Sequence, residues 1–78
     1  MNIFVSNLSV AATEQQLNTL FSGFGVVQST VMIRQNPAHP FCWIVMKDQH
    51  DAEQALSHLN HSQFLLQDIT VNKADLQR

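Results

Sequence analysis

Three aromatic side chains hold most of the chemistry open to this sequence. Phe41 and Trp43 lie one residue apart in the apolar run Phe41-Cys42-Trp43-Ile44-Val45-Met46, and Phe4 lies in Asn2-Ile3-Phe4-Val5-Ser6-Asn7-Leu8. Side chains at i and i+2 of a β-strand leave the same face, so a strand over 41–46 puts both rings on one flat patch. In the first run Ile3 and Val5 point one way and Phe4 the other, so neighbouring strands would place three rings on one surface. The chemistry of such a surface is stacking against another flat π-system. A central strand buried on both faces explains the same apolar run, because burial on both sides also removes the need for polar alternation.

The remaining reactive side chains form no comparable set. His39 and Cys42 offer an imidazole and a thiol, but their odd spacing sends them to opposite faces of one strand, which leaves no nucleophile–base pair. His58 and His61 are two metal-ligand types without a third in a matching pattern, and read as solvated histidines. Glu14, Asp48, Asp51, Glu53, Asp68 and Asp75 fall mostly at helix starts or in connections, where carboxylates favour the helix dipole or water. Glycine occurs only at Gly23 and Gly25, too few for a phosphate-cradling loop. The expectation is a binding protein with no catalytic residues, no metal and no cofactor.

Charge narrows the partners. The net charge is −2, with Arg34, Lys47, Lys73 and Arg78 as the only lysines and arginines, which argues against sequence-blind gripping of a phosphate backbone. Any nucleic-acid affinity would come largely from stacking and hydrogen bonds, with four histidines adding charge only as pH falls or their pKa values rise. The longest apolar stretch is the six residues Phe41–Met46, against the ~20 that a membrane span needs, so no membrane partner is expected. Met1-Asn2-Ile3-Phe4 has neither a basic lead nor a cleavage site, and the single Cys42 cannot close an internal disulfide; both fit a cytoplasmic protein.

Positioning the rings falls to elements that periodicity marks out along residues 1–78, read as one domain. Residues 2–6 alternate as a half-buried strand. Thr13-Glu14-Gln15-Gln16 has the form of a capping box, after which Leu17, Leu20, Phe21 and Phe24 share one helical face, and Gly25 suits a left-handed helix end. Val26–Ile33 reads as a second strand with Val31 and Ile33 on one side, joined through the proline-punctuated segment 35–40 to the strand 41–46 as a hairpin. Asp48 can cap a second helix running to about Leu59, with Ala52, Ala55, Leu56 and Leu59 on its inner face. Past the polar break Asn60-His61-Ser62, Phe64-Leu65-Leu66 leads into a last strand at Ile69-Thr70-Val71. The order βαββαβ is that of an α+β, ferredoxin-like sandwich.

At this point the residues resemble a family. Ile3-Phe4-Val5-Ser6-Asn7-Leu8 closely resembles the shorter ribonucleoprotein signature of the RNA recognition motif (RRM) family, and His39-Pro40-Phe41-Cys42-Trp43-Ile44-Val45-Met46 partly matches its longer one. Leu17, Phe21, Phe24-Gly25, Ala52, Ala55, Leu56, Leu59-Asn60 and Val71-Asn72-Lys73-Ala74 also fall where the family places such residues, so the resemblance covers the whole chain. The compact chain is most similar to short, single-domain bacterial members.

The resemblance implies a four-stranded antiparallel sheet with strands one and three at its centre and both helices on one face. Phe4, Phe41 and Trp43 would then share the open front and stack unpaired bases of single-stranded RNA. Val31, Ile33, Thr70 and Asn72 would border them. Asn72 and the main chain after the last strand would read base edges, with His39, Arg34 and Lys73 as further RNA contacts. His39 stands where the family usually carries Lys or Arg and Pro40 replaces a glycine, which with the acidic charge balance thins the phosphate grip and implies weak to moderate affinity; Cys42 replaces a small residue on the buried side, and Met46 replaces an aromatic but faces the core, with slight effect on binding. Single-stranded DNA stays open as a ligand. The rival from another class is a protein-interaction module whose aromatic face meets a partner or a second copy in a weak homodimer.

Overall fold

A computed structural model describes residues 1–74 of the chain. Its elements are β1 (Asn2–Ser6), α1 (Glu14–Ser22), β2 (Val27–Ile33), β3 (Phe41–Met46), α2 (Gln49–Leu59), β4 (Gln63–Phe64), β5 (Gln67–Asp68) and β6 (Thr70–Lys73). Four strands form one antiparallel sheet in the order β2-β3-β1-β6, so the two strands that carry the rings are its central pair. The architecture is the α+β, ferredoxin-like sandwich that the pattern implies. Asp75 and Arg78 lie outside the described residues.

Local signals place both helices. Thr13 caps α1 reciprocally: its hydroxyl accepts from the Gln16 amide N–H at 3.1 Å while the Gln16 side chain accepts from the Thr13 N–H at 3.1 Å. Asp48 caps α2 by accepting from the His50 and Asp51 amides at 2.8 and 3.4 Å. Leu17 and Phe21 of α1, with Ala52, Ala55 and Leu59 of α2, then bury against Ile3, Val5, Cys42, Ile44, Met46 and Val71 of the sheet. The two alanines let α2 lie close to the strands, since a short side chain spaces a helix less than a long one.

Both edges of the sheet are held by the helical layer. The outward N–H of Met32 on β2 donates to the Glu14 carboxylate of α1 at 2.7 Å, and that of Val71 on β6 donates to the Asn60 side-chain oxygen beyond α2 at 2.9 Å. An edge amide that already has an acceptor is a poor template for a further strand.

Two expectations need correction. Gly25 does not end α1 in a left-handed conformation: the helix stops at Ser22, Gly23 caps it at φ −65°, and neither glycine has positive φ. Gly25 serves close approach, because a Cβ there would stand 2.6 Å from the Asp51 Cβ of α2. The segment 64–66 is not a plain lead into the last strand. Phe64-Leu65-Leu66-Gln67 makes a β4–β5 hairpin whose two turn residues adopt φ of 53° and 68°, positions that usually favour Asn or Gly.

Candidate nucleic-acid interface

The strand register builds the front face from the residues left over by the core. Phe4 lies opposite Trp43 on one side and Asn72 on the other, and Trp43 in turn lies opposite Val31, giving one row across the sheet: Val31, Trp43, Phe4, Asn72. Phe41 sits opposite Ile33 in the adjacent row, and Thr70 opposite Ser6. Burial alternates strictly along β1 and β3, with Ile3, Val5, Cys42, Ile44 and Met46 fully buried and the three rings only half-buried. Burial of the 41–46 run is therefore one-sided, and the front remains open.

The rings hold one another in place. Phe4 and Phe41 have centroids 5.0 Å apart with planes tilted 49°, and Phe4 meets Trp43 at 5.1 Å and 61°, edge to face. Such pairs are worth ~0.5 to 1.5 kcal/mol beyond the area they bury. A platform ordered before its ligand arrives loses less entropy on binding. The facing positions of all four strands carry no ionisable side chain, so the surface offers π-faces, hydroxyls and the side-chain amides of Asn2 and Asn72.

Of the other expected contacts, Asn72 lies beside the rings and two cations do not. Asn72 is exposed beside Phe4. Arg34 is engaged elsewhere: its guanidinium donates to the carbonyl oxygens of Val10, at 3.3 Å, and Ala12, tying the β1–α1 connection to the end of β2. Lys73 lies opposite Ile3, a fully buried core residue, so the pleat directs that position toward the helical side. His39 is exposed in the β2–β3 connection, where its main-chain N–H donates to the Asn36 carbonyl at 2.9 Å.

His39 also lines a feature that the sequence did not disclose, a cleft of about 580 Å³ past the ends of β1 and β3, shared with Ser6, Asn7, Phe41 and Gln67. Asn7 sits at φ 58° and donates through its side-chain amide to the Asp68 carbonyl at 2.6 Å, while the Gln67 side chain donates to the Asn7 carbonyl at 3.0 Å. The one available signal was Asn7, since asparagine tolerates the left-handed region. Gln67 is 60 residues away and carried none.

The remaining reactive groups lie apart from the rings. Cys42 faces the core, where burial first and the Glu14 carboxylate second push its thiol up to about 12, against a partly offsetting hydrogen bond from the Val31 backbone. His58 packs on Phe24 at 5.5 Å with Nδ1 2.8 Å from the Gln54 carbonyl oxygen. Among the described residues no group of three or more His, Cys, Asp or Glu could hold a metal, and no helix is long and apolar enough to cross a membrane.

Comparison with known proteins agrees with this fold. The family model described as RNA recognition motif matches residues 3–70. The chain is 32% identical over 75 residues to polyadenylate-binding protein 4 of Arabidopsis thaliana, covering 94% of this chain and 11% of that protein. RbpD of Nostoc sp., a cyanobacterial relative, is 29% identical over 77 residues, covering 95% of this chain and 82% of RbpD, which accords with the expected likeness to short bacterial members. The first four curated relatives are longer, and the chain spans 10% to 26% of their lengths. The crystal structure of RNA binding protein PG1 superposes with a TM-score of 0.88 at 31% identity, covering 100% of this chain and 96% of that one.

Proposed function

Because this chain belongs to the RNA recognition motif family, we propose that it captures a few nucleotides of single-stranded RNA by stacking their bases on Phe4, Phe41 and Trp43. Membership of the family supports RNA binding, and the stacking mechanism, the residues and the affinity go beyond it. The observation that carries it is the mutual packing of three half-buried rings, at 5.0 and 5.1 Å, on a sheet face without charge. Every base has a π-face, and paired bases are already stacked in their duplex, so unpaired nucleotides are the ligand that fits a flat aromatic surface. Asn72, beside Phe4, would then hydrogen-bond a base edge through its side-chain amide, a role its register next to the ring supports.

Affinity should be weak to moderate and only shallowly dependent on salt, because binding that neutralises few phosphates releases few counterions. The commitment of Arg34 to Val10 and Ala12 and the helix-side position of Lys73 support that reading. The test is a titration with short randomised single-stranded RNA, alongside the matching DNA. The double substitution Phe41→Ala with Trp43→Ala should abolish binding while the circular dichroism spectrum stays that of the native chain. Unchanged binding by the double variant sinks the stacking mechanism, and a stable dimer in sedimentation whose Trp43 fluorescence ignores RNA would instead assign this face to a second copy.

A further inference from the structure

The cleft past the ends of β1 and β3 borders Phe41 and is lined by Ser6, Asn7, His39 and Gln67, so it continues the aromatic face into a polar recess. Its volume, about 580 Å³, falls within the ~300 to 1,000 Å³ of pockets that enclose small ligands. What such a recess can recognise depends on which of its hydrogen-bonding groups are already used.

Most of its donors are spent. On the β2–β3 connection the main-chain N–H groups of Ala38 and His39 both turn to Asn36, one to its side-chain oxygen at 3.1 Å and the other to its carbonyl at 2.9 Å, and Pro40 has no N–H. Across the cleft the Gln67 NH2 donates to the Asn7 carbonyl at 3.0 Å, and the Asn7 NH2 donates to the Asp68 carbonyl at 2.6 Å. These two bonds clasp the segment after β1 to the β4–β5 hairpin and fix the orientation of both amides, with the nitrogen toward the backbone and the oxygen away from it. Among the described residues neither amide oxygen accepts a hydrogen bond, and no buried side-chain polar atom lacks a partner, so the oxygen of half-buried Gln67 opens to solvent and not to the core. An amide oxygen offers two lone pairs, whereas an NH2 with one bond made keeps a single hydrogen, so the capacity left in the cleft is richer in acceptors than in donors. The Ser6 hydroxyl and the His39 imidazole can each donate or accept, and leave that balance unchanged.

Resting on the RNA-binding reading above, we propose that this cleft selects the base of the nucleotide next to the stacked ones: Gln67 and Asn7, through their side-chain oxygens, favour a base with an exocyclic amino group over uracil. Cytosine and adenine present an NH2 on the edge where uracil, like thymine, presents a carbonyl oxygen, and guanine carries its NH2 on the opposite edge. A carbonyl oxygen set against acceptors gives up its water and gains no partner, which costs more than the bond an amino group makes there would contribute. Stacking makes no such choice, since every base has a π-face. Capture and selection thus belong to adjoining parts of one surface, the rings and the cleft beyond Phe41.

The experiment measures, by fluorescence anisotropy at neutral pH and fixed salt, the affinities of short cytidine and uridine homo-oligomers of equal length. The two pyrimidines have the same ring size and differ by amino against carbonyl at one position, which separates hydrogen bonding from stacking area. The native chain should bind the cytidine oligomer about fivefold tighter, the size of one net hydrogen bond. Gln67→Met keeps the length of the side chain without its amide and should bring that ratio down toward one through loss of cytidine affinity. Asn7→Gly removes the other amide with a residue at ease at φ 58° and should lower the ratio as well, and circular dichroism checks that both variants fold. A native ratio of one or below overturns the proposal and leaves stacking standing. So does an undiminished ratio in the folded variants, including an equal loss on both oligomers, which is what a merely structural role for the clasp would give. Absence of binding to either oligomer by the native chain overturns this proposal together with the reading beneath it.

Discussion

The two faces of the sheet are made by alternate residues of the same strands, yet they are stabilised in different ways. On the helical side Ile3, Val5, Cys42, Ile44 and Met46 are fully buried under α1 and α2, and their order comes from close packing on every side. On the open side Phe4, Phe41 and Trp43 are half-buried with no layer above them, and their order comes from one another. Under the proposed function this face stays open for a ligand and cannot use a covering layer, so mutual ring packing takes its place. The contrast separates the face that folds the chain from the face proposed to bind, although the two share every strand.

The contrast can be broken most severely from the helical side. Ile44→Ala removes a fully buried side chain from the central strand and should cost about 2 to 5 kcal/mol of unfolding free energy, read from urea denaturation, with RNA affinity retained wherever the protein stays folded. The front-face double variant Phe41→Ala with Trp43→Ala should do the reverse. It removes stacking worth ~1 to 3 kcal/mol per base while leaving the fold, and a large loss of stability would show that the two faces are not separable.

A pH titration of stability probes the helical side through Cys42. Below about 9, the ordinary value for a thiol, Cys42 is protonated in both states and contributes no slope. As pH rises from 9 toward about 12 the unfolded chain loses that proton while the native chain keeps it, so stability falls over that window. Cys42→Ala should flatten this part of the curve. The smallest effect expected is at the margin between the faces: Arg34→Ala should cost about 0.5 to 1.5 kcal/mol by freeing the carbonyls of Val10 and Ala12, without changing the salt slope of RNA binding. A slope that becomes shallower would return Arg34 to the RNA contacts.

Much of the fold was legible because it depends on neighbours in the chain. Thr13 and Gln16, or Asp48 and the amides two and three residues on, satisfy helix ends with groups three residues apart at most, and the period-2 pattern of 2–6 and 41–46 sorts side chains between two faces. The ring platform was legible for the same reason once strands one and three were expected side by side. The hairpin at 64–67 was not, because Leu65 and Leu66 carry no turn signal and adopt positive φ against their own preference. Nor was the fate of Gly25, whose reason for being small is Asp51, a residue on the other helix.

By itself, then, the order of residues determined which side chains share a strand face, where both helices begin, and that three rings were available for stacking on a chain poor in cations. Tertiary structure alone decided how those rings meet, at 5.0 and 5.1 Å across β1 and β3. It also decided, among the described residues, where the basic side chains near the rings go: Arg34 is held by carbonyls more than 20 residues away, Lys73 is turned to the helical side by its register with Ile3, and His39 lines the cleft beside Phe41. The physical reason is one of range. Capping and alternation act over a few residues and are written in local order, whereas the availability of a charge depends on whichever distant acceptor the fold brings to it.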